Sequence, residues 1–415
     1  MGAVTAIPRG SILRQPAFGL LWFVQASTQV GGNMALYALT ILVFATTRSN
    51  AAVSALVMSY LIPTILLSAV AGVIVDRLDV RWALIVPNVV RTVLTVGLAL
   101  AGANVGVLLV LNLGISLTTV VLTPAEAAMI PRIVPTSQLQ TAMGIFNLTL
   151  QASFAAGFAF LGPLLVAFVG PSFVLAVVAV LYGAATLATL ALPSAPPAAG
   201  TAGEANRAIR DLAIQLREGL RAIRGNREVS RPLIHLAAAA SLVGVIGVLG
   251  PDLALSLDLD PKDLVVLVLP LGLGILAGVV GLRRFGRSVP RRRAGEAALA
   301  LFGLLAAAIS VVAISDGLPQ PPVIGVVVVL AFGAGAAYAA TSVSAQTALF
   351  ENMPAAVRGR VFGVLASIVS AASLIPILIA GPLADRTAGP VVIAIAALGV
   401  VSAALASATR FGPRT

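Results

Sequence analysis

Long stretches of this chain carry no charge at all. Asp, Glu, Lys and Arg are absent from 15–47, 49–75, 133–203, 232–251, 264–282, 297–315, 317–350, 361–384 and 387–409, and 82–125 holds a single one, Arg91. Crossing the hydrocarbon of a bilayer takes about 20 apolar residues in a helix, and most of these runs meet that length. With charged residues at only 10% and mean hydropathy at +1.05, a water-covered surface cannot be built. The strand alternation of a membrane barrel is missing, so the backbone must satisfy its hydrogen bonds as helix. The expected fold class is all-α: a polytopic membrane protein.

Twelve transmembrane helices fit, at about 17–46, 52–75, 83–102, 106–128, 139–168, 171–192, 232–256, 264–282, 296–314, 322–345, 360–383 and 389–409. Two runs must each be split, at the turn signals Gly102-Ala103-Asn104 and Val169-Gly170-Pro171. Orientation follows from the basic residues. With the N-terminus inside, the inner loops hold 22 of them, against Arg48, Lys262 and Arg386 outside and Arg91 within a span. Both termini are therefore expected in the cytoplasm, and the first span reads as a retained helix rather than a cleaved signal. The net charge of +11 is spread over many short loops, a topology signal that argues against nucleic acid as a partner.

Chemistry is constrained as much as topology. There is no cysteine and one histidine, His235, which removes thiol catalysis, disulfides and multi-histidine metal sites. No enzyme signature, cofactor site or metal site is expected. The single lysine among 26 basic residues reads as the codon bias of a GC-rich genome, in keeping with a bacterial plasma membrane.

The chain repeats itself. Gly72-Val-Ile-Val-Asp76-Arg77-Leu-Asp-Val-Arg81 aligns with Gly278-Val-Val-Gly-Leu282-Arg283-Arg-Phe-Gly-Arg287, and Pro135…Gly144…Gly162-Pro163-Leu164 aligns with Pro354…Gly363…Gly381-Pro382-Leu383. Duplicated halves are a transporter architecture. The expected domains are an N-terminal six-helix bundle over 1–192, a cytoplasmic linker over 193–231 and a C-terminal six-helix bundle over 232–415. In the linker, Ile209, Leu212, Leu216, Leu220 and Ile223 are spaced for an amphipathic helix flanked by arginines. It either lies on the lipid surface or simply joins the halves.

Gly72-x-x-x-Asp76-Arg77-x-x-x-Arg81 resembles the signature loop of the major facilitator superfamily, and most closely its drug, macrolide and siderophore exporter branch. Leu139-Gln-Thr-Ala-Met-Gly, Arg358-Gly359-Arg360-Val361-Phe362-Gly363 and Gly381-Pro-Leu-Ala-Asp385-Arg386 strengthen the likeness, which spans about 12–410. The resemblance implies two pseudo-symmetric six-helix bundles and a cytoplasmic gate in which Asp76 latches the halves. Arg77 and Arg81 would pair there with Glu126, and Gly72 would let two helices approach closely. Asp79 stands where the broad family has glycine, and Leu282 replaces the second-half aspartate.

In that fold helices one, four, seven and ten surround a cavity. Polar residues at helical spacing are the candidates for its wall: Gln25, Gln29, Asn33 and Tyr37; Asn112 and Ser116; Asn147 and Gln151; Tyr338, Ser342 and Gln346. Interhelical hydrogen bonding is the plainer use of such groups. Phe146, Phe154 and Phe158 would supply apolar wall. The candidates for coupling are Asp76, Arg91, Glu126 and Asp252, with Glu126 or Asp76 as partner for Arg91; the plainer reading of Asp252 is the start of an acidic outer loop with Asp258, Asp260 and Asp263. The function these features imply is secondary active efflux by alternating access, as the resemblance's proton antiporters do. The substrate expected is a small hydrophobic or amphipathic compound such as a drug, macrolide-like metabolite or siderophore. The partners are the substrate, protons and the lipid bilayer, and the chain acts as a monomer. An importer or facilitator of an organic solute is the alternative, and a non-transporting membrane sensor or scaffold a more distant one.

Overall fold

The computed structural model describes residues 12–196, 227–285, 291–315, 320–351 and 358–410. They form twelve helices, numbered here in chain order. α1 is Pro16–Thr47, α2 Asn50–Asp76, α3 Val80–Leu100 and α4 Val105–Ile133. α5 runs through Leu139–Phe154, a π-helical stretch Ala155–Leu161 and Gly162–Val169, and α6 is Pro171–Leu190. The second half has α7 at Arg227–Leu255, α8 at Val265–Phe285, α9 at Arg291–Ile314, α10 at Gln320–Glu351, α11 at Arg358–Ala384 and α12 at Gly389–Arg410. Eleven spans among the described residues are long and apolar enough to cross a bilayer, and α11 adds the shorter apolar stretch Val369–Ala384.

Both expected breaks occur, and each has a local cause. Gly102 and Gly170 sit at φ +58° and +84°, where an L side chain is strained. Asn104 caps α4 by accepting the Val107 N–H, Pro171 opens α6, and Ser49 caps α2 by accepting the Ala52 N–H. α4, α7, α9 and α10 run past the expected spans at the arginine-rich end of the molecule. Hydropathy reports the lipid-buried part of a helix, whereas the helix itself continues into the charged turns.

The packing repeats between halves. α1 packs on α6 as α7 packs on α12, α2 on α4 as α8 on α10, and α3 on α6 and α4 as α9 on α12 and α10. Glycines set the closest crossings: a Cβ on Gly274 or Gly335 would collide with the backbone of Phe332 or Leu271 across α8 and α10. Between the halves, α2 meets α11 and the π-helical part of α5 meets α8. The amphipathic linker helix expected over 207–224 lies outside the described residues.

Candidate functional site

A cavity lies where the halves meet, leaving about 80 Å³ for the centre of a water-sized sphere. Its wall is almost wholly apolar. Tyr37 and Thr40 come from α1, Phe154 and Phe158 from α5, Gly247 from α7, Leu271 from α8 and Tyr338 from α10. Phe154 and Phe158, one turn apart, stack at 5.3 Å, and Phe158 meets the Tyr37 ring edge-on at 5.6 Å. The π-helical stretch explains their position. Pro163 has no N–H to complete the ladder, so the turns before it slip in register. Gly157 within it lies against Val30 and Asn33 of α1, where a Cβ would stand 2.5 Å from the Val30 carbonyl. Of the phenylalanines expected here, Phe146 is placed otherwise: it is buried against Phe18, ring centroids 5.8 Å apart.

The end remote from the arginine-rich loops is bolted shut across the halves. Asp385, just past α11, accepts hydrogen bonds from the Asn50 N–H and the Ser49 hydroxyl, both at 2.6 Å, and from the Ala51 N–H at 3.1 Å. It thus caps the N-terminus of α2 from the opposite half, where the helix dipole favours an anion. Partial desolvation raises the Asp385 carboxyl, but the bonds from Ser49, Ala51 and Asn50 outweigh it and hold it below the usual carboxylate range. Asp252, half-buried in α7, accepts from the Asn50 side chain at 3.1 Å and from the Gly389 N–H at 2.7 Å, so one carboxylate joins α2, α7 and α12. Ser54 donates to the Ile377 carbonyl at 2.8 Å, and Gly381 lies against Asn50 and Ser54 with no room for a Cβ. From the sequence Asp252 is expected only as a coupling or loop acid, and Asp385 has no expected role. The available signal was a Ser-Asn helix start facing an acid at the end of α11.

A second, polar cavity sits inside the first six helices. Gln29 and Asn33 of α1, Tyr60 of α2, Arg91 of α3, Asn112 and Thr119 of α4 and Tyr182 of α6 line it. Arg91 is 3% exposed. Its Nη2 donates to the Tyr182 hydroxyl at 2.8 Å, its Cζ lies 4.3 Å from that ring's centroid, and its Nε has no partner. Gly32 gives it room from α1. Glu126, 4% exposed, is its electrostatic neighbour but forms no ion pair within 4.0 Å among the described residues, and Glu126 Oε1 has no hydrogen bond there. The partner of Arg91 is therefore corrected from the expected carboxylate to a tyrosine that no sequence pattern marks.

The signature loop is arranged differently from the expected gate. Arg81 donates to the Leu190 carbonyl, while Glu126 is buried, so the expected Arg81–Glu126 pair does not form. Asp76 and Arg77 are exposed at the end of α2. A Cβ on Gly72 would meet nothing within 4 Å, so the close helix approach expected there is found instead at Gly381 and Gly157. The physical reason is local: Arg81 is spent on the Leu190 carbonyl and Glu126 is buried, while the contacts between the halves at Asp385 and Asp252 lie at the opposite end. Asp79 has a role of its own. Its carboxylate accepts from the Ser194 hydroxyl at 2.7 Å and the Ala195 N–H at 3.2 Å, and the Val80 N–H donates to the Ala195 carbonyl. The Ser194 bond leads the interactions that hold this carboxyl below its usual range. Arg132 donates to the Pro196 carbonyl. The first residues of the linker are thereby tied to the α2–α3 loop. The side chains of Arg283, Arg284, Arg287, Arg358 and Arg360 lie outside the described residues.

The remaining polar candidates divide. Gln25 donates to the Phe146 carbonyl at 3.2 Å and Ser116 to the Tyr60 carbonyl at 2.5 Å, both joining helices. Asn112 likewise donates to Leu56 and Ser59 across α4 and α2, while also lining the polar cavity. Asn147 is exposed, bonded to its own helix at Met143. Ser342 lies one turn from Tyr338 on α10, and Gln346 is half-buried on the same helix. The side chain of Gln151 lies outside the described residues. Among the described residues no group of His, Cys, Asp and Glu could hold a metal ion.

A sequence-family model described as Major Facilitator Superfamily matches residues 21–376. No curated protein matches the sequence at a significant level. Among solved structures, the nucleoside transporter NupG superposes with a TM-score of 0.73 at 15% identity, covering 96% of this chain and 100% of its own. A POT family transporter in complex with 5-aminolevulinic acid gives 0.71 at 14%, covering 96% of each chain. The POT family transporter PepTSo gives 0.67 at 14%, covering 96% of this chain and 98% of its own. At these identities the likeness is one of fold.

Proposed function

We propose that this chain, which belongs to the Major Facilitator Superfamily and is a multi-pass membrane transporter, exports small lipophilic or amphipathic organic molecules by alternating access, coupled to protons. The observation that carries the substrate class is the aromatic, nearly uncharged cavity between the halves. A sugar or a strongly cationic drug would find few partners for its polar groups there, while an apolar body is accommodated without unsatisfied hydrogen bonds.

Placing the arginine-rich end in the cytoplasm, as the positive-inside rule favours, makes the Asp385 and Asp252 latch the outer gate. The cavity is then sealed from outside, and transport requires the latch to break while the opposite end closes. Glu126 is our choice of proton carrier. It is buried in the same half as the cavity wall, and one of its oxygens has no donor. Asp252 and Asp76 fit that role less well, since Asp252 is spent on the latch and Asp76 is exposed. The signature-loop residues Gly72, Asp76, Arg77 and Arg81 remain our candidates for the inner gate of the opposite state. We take the working unit to be a monomer in a bacterial plasma membrane, with both termini inside.

The test is accumulation of a panel of lipophilic fluorescent compounds in cells with and without the protein, before and after collapse of the proton gradient. Lower accumulation that reverts with a protonophore, and in the Glu126→Gln variant, is the expected result. Equal accumulation in all conditions would remove the export reading, and higher accumulation with the protein would replace it by import.

A further inference from the structure

Resting on the proposed central cavity, we infer that the polar pocket around Arg91 is the headgroup subsite for a carboxylate, which makes the substrates amphipathic monocarboxylic acids. Arg91 has five N–H donors, and the structure gives it one hydrogen bond, to Tyr182. A buried guanidinium used only for packing would have its donors paired, because an unpaired charge at membrane depth is costly. Here the surrounding side chains leave a cavity instead, with room for the centre of a water-sized sphere over about 60 Å³. That is headgroup size.

Its other polar wall groups are neutral amides and hydroxyls: Gln29, Asn33, Asn112, Thr119, Tyr60 and Tyr182. They suit a planar carboxylate held by a guanidinium fork. One cation balances one negative charge, so a dianionic phosphate would carry an uncompensated charge into the bundle. The two cavities share α1. Asn33 lines the polar one and Tyr37, a turn further on, lines the apolar one. The proposal places the carboxylate on Arg91 and the apolar body on the Phe158 and Tyr338 side of α1.

Glu126 fixes the electrical consequence. The groups that face Arg91 are Glu126 from α4, Tyr60 from α2, Tyr182 from α6 and the uncharged residues of α1. An ionised Glu126 and a ligand carboxylate compete for one guanidinium, so the acid binds to the form in which Glu126 holds a proton. The loaded site is then electrically neutral.

The experiment measures binding of pyrenebutyrate and its uncharged amide to the purified full-length protein in lipid nanodiscs, by fluorescence. The expected result is at least tenfold tighter binding of the carboxylate by the wild type, a ratio near one for Arg91→Gln, and an intermediate ratio for the charge-retaining Arg91→Lys. Equal affinities in the wild type overturn the headgroup assignment whether or not the variants fold, and so does a preference that survives Arg91→Gln. If the amide binds and Phe158→Ala weakens it while no carboxylate preference exists, the headgroup inference fails and the cavity reading stands. If neither probe binds, the cavity reading fails with it.

Discussion

Asp385 is a solvent-exposed carboxylate placed on the bare N–H groups of a helix from the other half of the protein. Caps of this kind are worth about 1 kcal/mol against alanine, so Asp385→Ala should shift the balance toward the form open at the Asp385 end by roughly fivefold. Because the chain has no cysteine, a Thr40→Cys reporter in the cavity wall can read this as faster labelling by an impermeant maleimide added outside. The sign with pH follows from the lowered carboxyl. The contribution of Asp385 is fully present above its ordinary value of 3.8 and is lost only as the pH falls through the lower, latched value. The labelling rate due to this latch should therefore be flat between pH 5 and 8, and a steep rise in that window would show that another group governs the Asp385 end. Deep in the N-terminal half, Tyr182→Phe removes the one hydrogen bond of Arg91 while keeping the ring beneath its guanidinium. A buried donor left unpaired costs about 1–3 kcal/mol, to be seen as a lower thermal midpoint of the purified protein.

At the scale of helices, glycine positions separate contacts from spacers. Gly157→Ala puts a methyl into the Val30 carbonyl on α1 and should destabilise the protein by about 1–3 kcal/mol, whereas Gly72→Ala, facing open space, should leave its thermal stability unchanged. A large loss of stability in Gly72→Ala would mean that the arginine-rich ends are also in close contact in the resting form. The elements themselves were legible in the sequence because one physical quantity, charge-free length, decides them. Gly102 and Gly170 also announced their turns, since positive φ needs glycine. Less legible were the helix ends at the arginine-rich side, where helix continues past the lipid, and the π-helical stretch of α5, which depends on Pro163 acting on turns before it. The Asp79 staple to Ser194 and Ala195 was marked in sequence only as a departure from the family pattern. The contact it makes is between residues 115 and 116 positions apart, a separation that no local periodicity reports.

Over the whole molecule, duplication in the sequence reappears as matched packing of the two halves. The conformational state was not legible. The family signature places a gate at Asp76, whereas the contacts between the halves in this structure are those at Asp385 and Asp252, as the proposed alternation of two latches would have it. Single polar residues in apolar helices were ambiguous for a related reason. Gln25 and Asn33 look alike in sequence, and only three-dimensional packing separates a helix-joining amide from a cavity wall. The central claim, that the cavity opens alternately and that the Asp385 end is one of its two doors, is tested most directly by locking that door. Cysteines at Ala51 and Arg386 are joined by a short bifunctional maleimide, and a Thr40→Cys reporter is then probed from each face of the membrane. The account predicts that outside labelling stops while labelling from the arginine-rich face continues; outside labelling that persists at its uncross-linked rate would contradict it.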